Sequence, residues 1–199
     1  GPHINIKSEK GISFDIPTVP FQEYPEIPEN KHEALFTIET DKLKNIIGSL
    51  LYAINAEPTK PALNGAYFSF NEDRIDFVAT DGHRLVKITR QNETNIQKGY
   101  IIPKKYLNIL NTFLEGQKET SLIFSENYVF SNNGKDVFYS KIIDEKFPNY
   151  NAVIPENNSK ELVAQKTEML NNIKAASIAT NKNTNQISLN FSEGKVFFK

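Results

Sequence analysis

The run Phe77-Val78-Ala79-Thr80-Asp81-Gly82-His83-Arg84-Leu85 brings a carboxylate, an imidazole and a guanidinium together around one glycine. An apolar strand stops at this cluster and resumes as Leu85-Val86-Lys87-Ile88. Asp-Gly is ordinarily a turn signal between strands, because glycine tolerates positive φ. A turn gains nothing from His83 and Arg84 placed directly after it. Two readings therefore stand: a decorated turn, or a loop whose polar groups meet a ligand. Catalytic readings lack partners. Asp81 and His83 could be two ligands of a metal ion. Only His32, in a polar linker, remains as another native imidazole, and no carboxylate–histidine pattern recurs at helical spacing. No nucleophile elbow surrounds a hydroxyl and no glycine-rich phosphate loop occurs. The sequence has no cysteine, which removes disulfides, thiolate chemistry and most structural zinc sites. The expectation is a protein with no catalytic residues, no metal and no cofactor.

The elements that must position this loop are legible from periodicity. Leu43, Ile46, Ile47, Leu50, Leu51 and Ile54 recur at the spacing of one helical face. Thr40 or Asp41 is placed to cap that helix. A second helix follows Pro103, a residue suited to a first helical turn, and Leu107, Leu110 and Leu114 mark its buried side. Ala66–Phe70, Arg74–Ala79, Leu85–Thr89, Leu122–Phe124, Tyr128–Ser131 and Asp136–Ile142 read as strands, several joined by Asn/Gly turns. The fold class is α+β, with two helices backing antiparallel sheet.

Composition bounds the partners. The 199 residues, 39% hydrophobic, can bury one good core and part of another. Net charge is −1, so no global positive field draws the chain to nucleic acid. That argues against a tight open-surface DNA binder. No apolar run approaches the roughly 20 residues of a membrane helix. Gly1-Pro2-His3 reads as an expression scar, with no apolar segment behind it to make a signal peptide. The expected location is cytoplasmic.

An internal repeat organises the chain. Phe36–Leu43 aligns with Leu162–Met169, so that Leu43 falls on Met169, Ile47 on Ile173 and Leu50 on Ala176. Further on, Phe68-Ser69-Phe70 matches Leu189-Asn190-Phe191, and Ile75-Asp76-Phe77 matches Val196-Phe197-Phe198. At the other end, Ile4–Phe14 parallels the hairpin running from Tyr128 through Asn133-Gly134 to Tyr139. Tyr24-Pro25 with Ile27-Pro28-Glu29-Asn30 parallels Phe147-Pro148 with Ile154-Pro155-Glu156-Asn157. The repeat of roughly 125 residues is of ordinary domain size. The chain thus reads as the tail of one unit, a whole second unit and the start of a third, with boundaries near Asn30–Glu33 and Asn157–Lys160.

Thr80-Asp81-Gly82-His83-Arg84-Leu85 after a Val-Ala strand resembles the signature of the bacterial sliding-clamp family, the β subunits of DNA polymerase III. Three further blocks agree in order and spacing from about Ala34 to Glu156. They are Pro61-Ala62-Leu63-Asn64-Gly65, Tyr100-Ile101-Ile102-Pro103-Lys104-Lys105, and Phe147-Pro148-Asn149-Tyr150 running into Val153-Ile154-Pro155. The resemblance implies a DNA-clamp fold of repeated domains. Residues 1–33 would be the C-terminal tail of a first domain, 34–157 a complete middle domain, and 158–199 the N-terminal part of a third. It also implies a replication role without catalysis: a ring around double-stranded DNA that tethers the polymerase. Partners would be the polymerase III α subunit, the clamp loader, and other polymerases and repair proteins carrying short docking peptides. The family works as a homodimeric ring, which a fragment lacking most of the first and third domains is not expected to close.

By the same resemblance, Leu63, Thr80, Gly82, His83, Arg84, Leu85, Pro148 and Val153 line the retained half of the docking pocket. Leu63, Leu85, Pro148 and Val153 would offer apolar walls to a Leu or Phe anchor, with His83 and Arg84 as donors at the rim. Leu63, Leu85 and Val153 suit a plain core equally well, and Pro148 could simply end a strand. Asn151-Ala152 stands where the family often carries a basic residue, which makes that part of the rim less positive. The helices of a clamp line its hole, which implies DNA-facing roles for Lys104 and Lys105, and for Lys42, Lys44 and Lys174. These are phosphate contacts without sequence reading, and an ordinary solvated helix face explains lysines as well. A β-rich surface or adhesion module, suggested by the Asn, Thr and Tyr content, is the rival reading. The repeat with interposed amphipathic helices speaks against it.

Overall fold

Strand alternation and helical periodicity both end in one apolar layer. The computed structural model describes residues 2–24, 26, 28, 34–55, 57, 59–181, 184, 186–192 and 194–198. His32, the boundary expected at Asn30–Glu33, and Pro25, Ile27, Glu29 and Asn30 of the repeat lie outside them. The chain divides into two units, Gly1–Tyr150 and Asn151–Lys199.

In the first unit, β1 (His3–Lys7) and β2 (Ser13–Pro17) form an exposed two-stranded hairpin. Next come β3 (Ala34–Glu39), α1 (Thr40–Leu51), β4 (Gly65–Phe70), β5 (Arg74–Thr80) and β6 (Leu85–Gln91). The unit continues with β7 (Gly99–Pro103), α2 (Lys104–Phe113), β8 (Glu119–Phe124), β9 (Tyr128–Asn132) and β10 (Val137–Lys141). These strands make two four-stranded antiparallel sheets, ordered β10-β9-β8-β3 and β6-β5-β4-β7. The α+β class expected from the sequence is borne out.

One core joins both sheets to both helices. Leu43, Ile46, Ile47 and Leu50 of α1 are essentially solvent-free, as are Tyr106, Leu107 and Leu110 of α2. They meet the inward residues of the strands, among them Phe36, Phe68, Phe70, Ile75, Phe77, Tyr100, Leu122 and Phe124. Each such side chain contributes about 1.5–3 kcal/mol on burial. Aromatic edges lock the layer, with Phe68 and Phe77 edge to face at 4.7 Å and Tyr100 stacked on Phe124 at 4.3 Å.

The cap expected from Thr40 or Asp41 does not form. The N-cap position falls on Glu39, without a side-chain cap bond. Thr40 is buried instead, its hydroxyl 2.8 Å from that of Thr120 on β8, while its N–H donates to the Lys118 carbonyl. A tertiary hydrogen bond has taken the hydroxyl that a free helix would use locally. A strand that the sequence pattern does not announce also forms, Ala34–Glu39, where only Phe36 is fully buried.

The second unit contains α3 (Lys166–Ser177), β11 (Leu189–Ser192) and β12 (Lys195–Phe198). Aligning Leu43 with Met169 maps the bounds of α1 onto those of α3. The hairpin registers match too: Phe68 pairs with Phe77 and Phe70 with Ile75, while Leu189 pairs with Phe198 and Phe191 with Val196. No residue of α3 is buried, whereas α1 buries five. Among the described residues, no helix is long and apolar enough to cross a membrane.

Candidate functional site

The β5–β6 loop, Asp81 to Arg84, is built around one carboxylate. Asp81 Oδ1 accepts the backbone N–H groups of His83 at 2.9 Å and Arg84 at 3.0 Å. Its Oδ2 accepts Arg84 Nε at 2.7 Å. Thr80, paired with Leu85 across the strands, closes the loop from below: its hydroxyl donates to the Arg84 carbonyl at 2.7 Å and accepts the Gly82 N–H at 3.0 Å. The backbone and side-chain hydrogen bonds from Arg84, with that of His83, hold the Asp81 carboxyl well below the usual carboxylate range. The same pair raises the Arg84 guanidinium, aided by Tyr52. Gly82 has φ +93°, a conformation that side chains rarely adopt, so the glycine is a requirement of this turn.

Two neighbours that sequence reasoning missed complete the loop. The Arg84 guanidinium lies 4.4 Å from the centroid of the Tyr52 ring, just beyond the end of α1. The Lys60 ammonium approaches to 3.9 Å of the point a Cβ on Gly82 would occupy. Lys60 opens the turn Pro61–Leu63, so the segment carrying Leu63 adjoins the signature loop. No spacing in the sequence links Tyr52 or Lys60 to Arg84; only the fold does. Gly65, next along, has its own steric reason: a Cβ there would sit 2.5 Å from the Ile102 carbonyl oxygen.

Of the expected wall residues, Leu63 is buried, Leu85 half-buried and Pro148 exposed. Pro148 sits on a strap, residues 143–150, that crosses the outer face of the β6-β5-β4-β7 sheet. Ile143 bridges Ile101 of β7, Phe147 stacks on Tyr67 of β4 at 4.9 Å, and the Tyr150 hydroxyl donates to Asp76 of β5 at 3.0 Å. Val153 belongs to the second unit and is 67% exposed. The structure thus sets Thr80, Gly82, His83, Arg84 and Leu85 on one loop, with the Leu63 turn beside it.

The lysines differ in availability. Lys105 is exposed on α2, while the ammonium of half-buried Lys104 donates to the Ile54 carbonyl at 3.2 Å. Lys42 pairs with Glu39 at 2.7 Å, an exposed contact of about 0–1 kcal/mol. Lys44 is half-buried, and Lys174 is exposed on α3 in the second unit. Among the described residues no group of three or more His, Cys, Asp or Glu is placed to hold a metal ion.

Residues 37–149 match the family model described as DNA polymerase III beta subunit, central domain. Among curated proteins, the chain is 28% identical to the beta sliding clamp of Treponema pallidum over 93% of this chain and 50% of the relative. It is 31% identical to that of Haemophilus influenzae over 92% and 50%. It spans about half the length of the curated relatives it matches. Among solved structures, the C. crescentus beta sliding clamp superposes with a TM-score of 0.83 at 25% identity, covering 99% of this chain and 55% of the other. The sliding clamp of Bartonella birtlesii, solved bound to griselimycin, gives 0.81 at 27% identity over 98% and 54%.

Proposed function

This chain belongs to the DNA polymerase III beta-subunit family, and we propose that it is part of a sliding clamp, a ring that encloses DNA and tethers the replicative polymerase. It does so without catalysis, in the bacterial cytoplasm at the replisome. Its middle domain, residues 34–157, lies between the tail of a first and the beginning of a third. The ring is the work of the full-length homodimer. The 199 residues alone, with a net charge of −1, are expected neither to close it nor to bind DNA tightly. Lys105 and, more weakly, Lys42, Lys44, Lys104 and Lys174 serve as non-specific phosphate contacts, which makes their contribution salt-sensitive.

The docking reading is carried by one observation: a loop bearing His83 and Arg84 is already ordered by Asp81 and Thr80 beside the Leu63 turn. Preorganisation lowers the ordering cost of binding a short peptide. Leu63, Leu85 and Pro148 supply apolar contact for a C-terminal Leu or Phe anchor, and Thr80, Gly82, His83 and Arg84 its polar rim. Partners are the polymerase α subunit, the clamp loader and other polymerases or repair proteins that present such peptides.

Fluorescence anisotropy with a labelled pentapeptide ending in Leu-Phe tests this reading. Arg84→Ala is expected to weaken binding roughly tenfold, the scale of one charge-assisted contact, while thermal stability stays near that of the unaltered chain. Lys105→Ala, on the helix face, is expected to leave affinity unchanged. Equal losses in both variants would place the peptide elsewhere.

A further inference from the structure

Asp76 is the only charged side chain among the described residues that is fully buried. A carboxylate out of water is costly unless it is paired and hydrogen-bonded. Thr89 Oγ1 donates to it at 2.7 Å, Lys87 Nζ lies at 3.2 Å and Arg74 Nε at 3.5 Å, all from its own sheet. Tyr150 is the partner from outside the sheet, at 3.0 Å. Asp76 therefore keeps three sheet partners without Tyr150, whereas the strap would lose a buried anchor. The other aromatic anchor is Phe147, stacked on Tyr67 with an interplanar angle of 9°. Only Pro148 and Asn149 stand between the two anchors, and both are exposed. Pinned on either side, and with its own φ locked by the ring, Pro148 has little freedom of position.

We propose that Asp76, acting through the Tyr150 hydroxyl, is a positioning residue of the docking site: it fixes where Pro148 stands on the sheet whose far loop carries Arg84. This rests on the docking reading above. Neither Asp76 nor Tyr150 need touch the peptide; their effect passes through Pro148.

A double-mutant cycle on the 199-residue chain, read by anisotropy with the same labelled pentapeptide, tests it. Tyr150→Phe keeps the ring and removes the hydroxyl, and is expected to weaken binding roughly fivefold, the scale of one buried hydrogen bond. Pro148→Ala is expected to lose a similar factor, and the double variant no more than the larger single loss. A purely structural role for Tyr150 would instead make the two losses multiply. Multiplying losses, or full affinity in Tyr150→Phe, would overturn the inference while leaving the docking reading intact. Absence of binding by the unaltered chain would overturn both.

Discussion

At the residue scale, the signature loop depends on the charge state of Asp81. Backbone and side-chain bonds from Arg84, then the His83 N–H, depress its carboxyl pKa in the folded chain. A group with a lowered folded pKa contributes order that is present above the ordinary carboxylate value and lost as pH falls through the depressed one. The loop should therefore keep one conformation from neutral pH down to the ordinary carboxylate range and loosen only below it. Amide shifts of His83 and Arg84 followed through an acid titration check this. Their midpoint should lie below the ordinary 3.8, and a midpoint at or above that value would contradict the role given to Asp81. The residues of this loop were legible in the sequence, because an acid, a glycine, an imidazole and a guanidinium interrupt an apolar strand. Tyr52 and Lys60 were not, since their contact with the loop is made by folding distant segments together.

At the element scale, periodicity carried the helices well. The spacing of Leu107, Leu110 and Leu114 predicts one buried face, and all three are solvent-free. Leu110→Ala should destabilise the chain by about 2–5 kcal/mol, the usual cost of emptying a core leucine site. Its neighbour Ile109 is 43% exposed, and Ile109→Ala should cost well under about 1 kcal/mol. Urea denaturation of the two variants separates them; equal midpoints would mean that α2 is rotated from the position described. Where sequence reasoning fell short, a long-range partner had replaced a local rule. The Thr40 hydroxyl meets Thr120 from β8 in place of its own helix, and β3 alternates in burial without alternating in polarity, since Leu35 on its exposed face is apolar. Asp76 read as an ordinary strand residue, since nothing near it in sequence announces Tyr150.

At the scale of the whole molecule, the clamp fold and the proposed peptide capture rest on different features. The fold was legible because four motif blocks and an internal repeat agree in order, and the solved clamps superpose over nearly the full chain. A chain of net charge −1 has no strong field for DNA, which suits the proposed role, in which enclosure and not attraction holds the duplex. What this chain can be asked directly is whether its ordered loop receives a partner peptide. The most direct measurement is a two-dimensional amide-shift map of the 199-residue chain titrated with an unlabelled pentapeptide ending in Leu-Phe. Saturable shifts at Leu63, Gly82, His83, Arg84 and Leu85 together are the result expected of a docking loop. Shifts confined to the α2 face around Lys105 and Asn108, with the loop unmoved at saturation, would contradict it.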